Sequence, residues 1–141
     1  MSHFVTVLIA DNNEQFRQTL LQALVVAQGI HVVGLTDTVQ EAVALTRVLL
    51  PDVILLNAAL LDDERAPEAD AELFETSKVL TLSEPGQEAR TLQTLQLGAR
   101  GFLVKGDELL TKLADAIRAV QRGEAILSPR LTGWMLDTIL H

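Results

Sequence analysis

The chain has 141 residues, 48% of them hydrophobic and only 4% aromatic, with a formal net charge of −8 and no cysteine. That size and apolar content describe one folded domain with an aliphatic core, of the kind helices build on a parallel sheet, and they argue against disorder. The acidic balance argues against direct nucleic-acid binding by this chain, the lack of cysteine excludes disulfides and thiolate metal sites, and no apolar run reaches the roughly 18 residues of a membrane span.

No basic stretch followed by an apolar one opens the chain, so a cytoplasmic protein is expected. Thr6 to Ala10 is a short apolar run closed by Asp11-Asn12-Asn13, which reads as a first strand and its turn. Phe16, Leu20, Leu24 and Ala27 then recur at helical spacing, with Asn12 and Gln15 as the capping pair and Gly29 as the stop. His31 to Leu35 gives a second strand. Thr38 and Glu41 form the capping signal of a second helix that carries Ala42, Val43, Thr46 and Leu49 and ends before Pro51. Behind that proline, Val53 to Leu56 is a continuous apolar run, as a strand buried on both faces requires, and it delivers Asn57 to its carboxyl end.

Between Leu60 and Glu75 the acidic residues Asp62, Asp63, Glu64, Glu68, Asp70, Glu72 and Glu75 dilute the apolar pattern. This predicts a solvated loop leading to a short third helix near Ala69 to Thr76, with a docking surface for a basic partner as the alternative. Val79 to Leu82 is a fourth strand that presents Ser83; Pro85 near a helix start, Leu92, Leu95 and Gly98 mark a fourth helix. Gly101 to Val104 is a fifth strand with Lys105 at its tip. Asp107 caps a fifth helix whose apolar stripe is Leu110, Leu113, Ile117 and Val120 and whose stop is Gly123. Ser128-Pro129 then leads into a last helix with Leu131, Trp134, Met135 and Ile139 on one side, a stripe that either packs back on the domain or forms a homodimer seam. Five β-α units in strict alternation predict a doubly wound five-stranded parallel sheet with helices on both faces over residues 1–123, followed by a linker and extra helix over 124–141.

In such sheets sites form beyond the carboxyl ends of the strands, where this chain places Asp11, Asn12, Asn57, Ser83 and Lys105. Their order and spacing resemble the receiver domain of two-component response regulators over about residues 5–123. Leu45 to Leu56, the run Gly98-Ala99-Arg100-Gly101-Phe102-Leu103-Val104-Lys105 and the stretch Ala116-Ile117-Arg118-Ala119-Val120 look most like the NarL/FixJ group. The resemblance implies a CheY-like sheet of order 2-1-3-4-5. It implies an acidic pair after strand one and an aspartate after strand three that hold Mg²⁺, the last of them taking a phosphoryl group from a histidine kinase. It also implies a hydroxyl at Ser83 and a lysine at Lys105 that contact the phosphoryl group, and an aromatic switch at Phe102.

The chain departs from that pattern where the chemistry is done. Asn57 stands at the phosphoacceptor position and Asn12 in the acidic pair, so three carboxylates are reduced to Asp11 alone. A carboxamide is a poor ligand for a hard cation and no useful nucleophile, so Mg²⁺ binding is expected to be lost or weak and no metal site is assigned. Lys105 is then expected to pair with Asp11 or to bond Asn57. Simpler roles stand beside these: Ser83 as a helix N-cap, Phe102 as a core aromatic, Lys105 as a surface lysine.

The reading that follows is a non-enzymatic pseudo-receiver that signals through protein or ligand contacts without aspartyl phosphorylation. Its expected partners are an output domain, a kinase-like or regulatory protein, or a second copy. In the NarL/FixJ group the tail leads into a DNA-binding helix-turn-helix, so the chain is read as a stand-alone receiver or as the first part of a transcription regulator. The alternatives are a phosphorylatable receiver with an introduced Asp-to-Asn change at Asn57, a receiver using another acceptor or a deamidated Asn57, and a small-ligand-binding flavodoxin-like module. An enzyme is disfavoured, because G-x-x-x-x-G-K-[ST], G-x-S-x-G and H-E-x-x-H are all missing and His3, His31 and His141 lie far apart.

Overall fold

Strands and helices alternate along the chain in the computed structural model, which describes residues 4–62, 67–106 and 108–124. The order is β1 (Val5–Ala10), α1 (Glu14–Val25), β2 (Ile30–Thr36), α2 (Val39–Leu49), β3 (Val53–Asn57), a 3-10 turn (Ala58–Asp62), α3 (Pro67–Thr76), β4 (Lys78–Ser83), α4 (Glu88–Leu97), β5 (Gly101–Val104) and α5 (Leu109–Gln121). The strands form one parallel sheet in the order β2-β1-β3-β4-β5. This is the doubly wound topology of the CheY-like receiver fold, with the order reversing beside β1 and β3. The Leu131, Trp134, Met135 and Ile139 stripe, Asp107, His3 and His141 lie outside the described residues.

The period of two along each strand divides the core between the faces. Val53 and Leu55 of β3 join Val7, Ile9, Leu80 and Leu82 under α1 and α5, whereas Ile54 and Leu56 join Leu8, Ala10 and Val79 under α2 and α3. Every residue of β3 is buried, which explains its unbroken apolar run. At its amino end Asp52 fixes the register to β1. Its carboxylate accepts from the Thr6 backbone N–H at 2.9 Å and the Thr6 hydroxyl at 3.2 Å, while its own N–H donates to Thr6 Oγ1 at 2.9 Å.

Capping follows the sequence closely at α2, where Thr38 Oγ1 accepts from Glu41 N at 3.1 Å. At α1 the cap is Asn13, whose Oδ1 accepts from Phe16 N at 2.9 Å, one residue beyond the expected Asn12–Gln15 pair. Asn12 is displaced because Asp11 Oδ1 already accepts the Asn13 N–H at 2.8 Å, an Asx-type turn that puts the helix start one position on. Helix α3 begins at Pro67, two residues before the expected start, with proline as its first helical residue. In α5 the buried stripe is Leu109, Leu113, Ala116, Ile117 and Val120, and Leu110 is 43% exposed. The cap position there is Glu108; Leu113, Ile117 and Val120 are buried as expected, and Leu109 rather than Leu110 begins the stripe.

Helix α4 starts at Glu88, later than Pro85 suggests. Pro85 and Gly86 instead occupy the middle of a turn in which Gln87 N donates to Glu84 O at 3.3 Å and Gly86 has φ +86°. Proline followed by a residue of positive φ is the signature of a type II turn, which α4 can begin only after. The buried polar side chains of this helix are the threonines Thr91 and Thr94, their hydroxyls bonded to backbone carbonyls of the helix.

Two further details shape β2, which lies at one margin of the sheet. Its register on β1 shifts between the Val7–Val32 and Leu8–Gly34 pairs, leaving Val33 as an extra residue, a bulge. Gly34 permits close packing, because a Cβ there would lie 2.9 Å from Leu8 Cδ1 and 3.2 Å from Leu49 Cδ1. Between the helices on that face, Arg47 of α2 and Glu72 of α3 form a two-toothed ion pair, with Nε to Oε2 at 2.8 Å. The guanidinium hydrogen bonds hold the Glu72 carboxyl below the ordinary glutamate range.

Candidate functional site

The carboxyl ends of β1, β3, β4 and β5 bring Asp11, Asn57, Ser83 and Lys105 to one edge of the sheet. Asp11 is fully buried. One carboxylate oxygen accepts the Asn13 N–H, the other lies 3.2 Å from Lys105 Nζ, and the Asp11 carbonyl accepts from Arg17 Nη1 at 2.6 Å. Of the two expected partners for Lys105, Asp11 is therefore the one the fold supplies. Glu84 adds a second carboxylate, with Oε1 also 3.2 Å from Nζ, and the ammonium sits 4.0 Å from the centre of the Phe16 ring.

Asn57 is 4% exposed, and its Oδ1 accepts the Ala59 N–H at 2.9 Å. The carboxamide oxygen thus begins the 3-10 turn. Asn12 is exposed, one residue beyond the buried Asp11. Ser83 closes β4 at 1% exposure, and its Oγ shares a hydrogen bond of 2.7 Å with Thr91 Oγ1 of α4. It is not the N-cap of α4: that position is Gln87, four residues on, because the type II turn intervenes. Phe102 is buried at 2% exposure on β5, opposite Thr81 of β4. The Thr81 hydroxyl is buried with no hydrogen-bond partner among the described residues.

Glu84, Thr91 and Phe16 complete the pocket but were not legible as site residues. Phe16 reads as one more apolar residue of α1, and Thr91 as one more polar residue of α4. The signal for Glu84 was the Pro-Gly pair behind it, which turns the chain back and leaves its carboxylate beside the strand tips.

The donor set does not suit a hard divalent cation. Such an ion needs several oxygen ligands, preferably carboxylates. The pocket offers one buried carboxylate, already engaged by an N–H and an ammonium, and a carboxamide oxygen engaged by Ala59. Among the described residues no group of three or more His, Asp or Glu side chains is placed to hold a metal.

A parallel sheet of order 2-1-3-4-5 with a polar pocket at its strand tips is the flavodoxin-like doubly wound architecture, the class to which receiver domains belong. The response regulator receiver domain family matches residues 7–118, and the chain belongs to that family. The probable transcriptional regulatory protein NarL of Mycobacterium tuberculosis is 31% identical over 137 residues, covering 96% of this chain and 63% of that protein. The transcriptional regulatory protein LiaR of Bacillus subtilis is 28% identical over 139 residues, covering 97% of this chain and 65% of that protein. The chain therefore spans less than two thirds of the length of these relatives. Among solved structures, the signal receiver domain of the putative response regulator NarL from Mycobacterium tuberculosis superposes with a TM-score of 0.76 at 29% identity, over 86% of this chain and 99% of that one. A LuxR-family two-component response regulator from an Aurantimonas species superposes with a TM-score of 0.83 over 98% of this chain and 99% of that one, and at 20% identity it speaks to the fold alone. The chain is a response regulator receiver domain, and the receiver domain of NarL is among those it resembles. Among the described residues no helix is long and apolar enough to cross a membrane.

Proposed function

We propose that this receiver transmits its signal without forming an aspartyl phosphate, through contacts with protein partners. The observation that carries this reading is the carboxamide of Asn57 at the tip of β3, its oxygen spent on the Ala59 N–H. An acyl phosphate forms when a carboxylate oxygen attacks phosphorus, and an amide nitrogen whose lone pair is delocalised into the carbonyl does not do this. The surroundings agree: Lys105, which in a phosphorylated receiver meets the phosphoryl group, is neutralised by Asp11 and Glu84. Mg²⁺ binding at this pocket is weak or absent in this reading, since Asp11 is the one buried carboxylate and both it and Glu84 are engaged by the Lys105 ammonium.

The partners are an output domain in the same or another chain, a regulatory or kinase-like protein, or a second copy. The names of the relatives support a place in transcription regulation, and the charge of −8 leaves any DNA contact to a separate domain. Incubation with acetyl phosphate and Mg²⁺, followed by intact-mass measurement, tests the proposal. The expected spectrum shows the unmodified mass; a stable gain of one phosphate on the native protein overturns the reading.

A further inference from the structure

The ammonium of Lys105 is met from two directions. Asp11 approaches from the end of β1 and Glu84 from the connection between β4 and α4, each with an oxygen 3.2 Å from Nζ. The two acids differ in setting: the Asp11 side chain is 1% exposed and that of Glu84 51%, while the lysine between them is 12% exposed. Asp11 alone already balances the buried charge. A second carboxylate on the same ammonium has its main consequence for the segment that carries it.

We propose that Glu84 is a positioning residue, a built-in counter-anion that ties the β4–α4 connection to Lys105 and so holds α4 in one arrangement without any covalent modification. The inference rests on the reading of an unphosphorylated Asn57 and extends it to the regulation of the same site. Neighbouring residues make paired attachments. Ser83 reaches forward to Thr91 on α4 at 2.7 Å, and Glu84 reaches across to the tip of β5. The turn behind Glu84 is preset, since Pro85 fixes its own φ and Gly86 supplies the positive φ of +86° with no atom within 4 Å of where a Cβ would lie. Pro85 restricts the backbone beside Glu84, which reduces the freedom lost when the carboxylate engages, and the partner ammonium is held at 12% exposure.

The nature of α4 makes these attachments matter. Its buried Thr91 and Thr94 direct their hydroxyls to its own backbone and to Ser83, so this helix presents polar groups where α5 presents a continuous aliphatic stripe. An element with few buried apolar groups is the one that opens at low free-energy cost. Polar ties at its amino end then decide how often it does.

Hydrogen–deuterium exchange of the whole chain tests this, with Glu84→Gln, Lys105→Gln and the double variant compared with the native protein. Glu124→Gln serves as control, because Glu124 pairs with Arg122 in an exposed site. The expected result for Glu84→Gln is exchange two- to fivefold faster over residues 84–95, with β1 and β3 unchanged and the control like native. In the Lys105→Gln background the added Glu84→Gln change is expected to have no further effect on that segment. Exchange within the native range in Glu84→Gln, or equal effects of that change with and without Lys105, overturns the inference. Intact-mass measurement after acetyl phosphate on the same samples separates the two failures: a phosphorylated native protein sinks the functional reading, whereas an unphosphorylated protein indifferent to Glu84→Gln sinks only the role of Glu84.

Discussion

Asn57 places a neutral carboxamide at a buried strand tip, beside the buried carboxylate of Asp11. Asp11 has Lys105 to itself on the buried side, and Asn57 caps a turn. Restoring the acid as Asn57→Asp places a second carboxylate near Asp11 but leaves Asn12 without one, so the cation site stays short of a ligand. Intact-mass measurement after acetyl phosphate and Mg²⁺ is expected to show partial labelling at most for Asn57→Asp, and more for Asn12→Asp combined with Asn57→Asp. Efficient labelling of the single variant would contradict this account of the pocket. A second residue-scale prediction concerns Thr81, whose hydroxyl is buried without a partner among the described residues. Thr81→Val keeps the shape and removes the unsatisfied group, so urea unfolding is expected to show a gain of about 1 kcal/mol. Asp11, Asn57, Ser83 and Lys105 were legible because each ends an apolar run. Glu84 and Thr91 were not, since their roles depend on a turn type and on where α4 begins.

At the scale of elements, the places where local chemistry is unambiguous are the ones the sequence announces. Thr38 caps α2 as its spacing to Glu41 requires, and Gly98 ends α4 with φ +119°. The cap of α1 and the first buried residue of α5 moved by one position because two adjacent residues competed for one job: Asn12 against Asn13 for the cap, Leu110 against Leu109 for the start of the buried stripe. Tertiary packing settled both, and periodicity alone does not resolve neighbours of like chemistry. The contact of α2 with β2 yields a firm prediction. Gly34→Ala would set a methyl 2.9 Å from Leu8 Cδ1, and Leu8 is fully buried with little room to yield. A loss of about 1–3 kcal/mol is expected in urea denaturation, with the slope of the transition unchanged.

For the whole molecule, the decisive fact is that one strand serves two cores. Because β3 sends alternate side chains to the α1–α5 side and the α2–α3 side, the two apolar clusters share a wall and should unfold together. Truncating Leu55, which is fully buried, to alanine is expected to lower stability by about 2–5 kcal/mol while the unfolding transitions of α1 and of α2, followed by amide hydrogen exchange in urea, remain coincident. Separated transitions would show that the faces fold independently. The alternation of strands and helices was readable over the described residues, from β1 to α5, since an aliphatic parallel sheet writes its strands as short unbroken apolar runs. The order of those strands came from the family likeness, as periodicity carries no information about neighbours across a sheet.

The bulge at Val33 bears on how such a domain lives among many copies of itself. A straight outer strand is an invitation: its unused amide and carbonyl groups can zip onto a stranger and seed a growing fibre. The extra residue breaks that spacing on β2, so a chain arriving alongside meets donors and acceptors out of step. A domain with such a margin discourages sticking through its backbone.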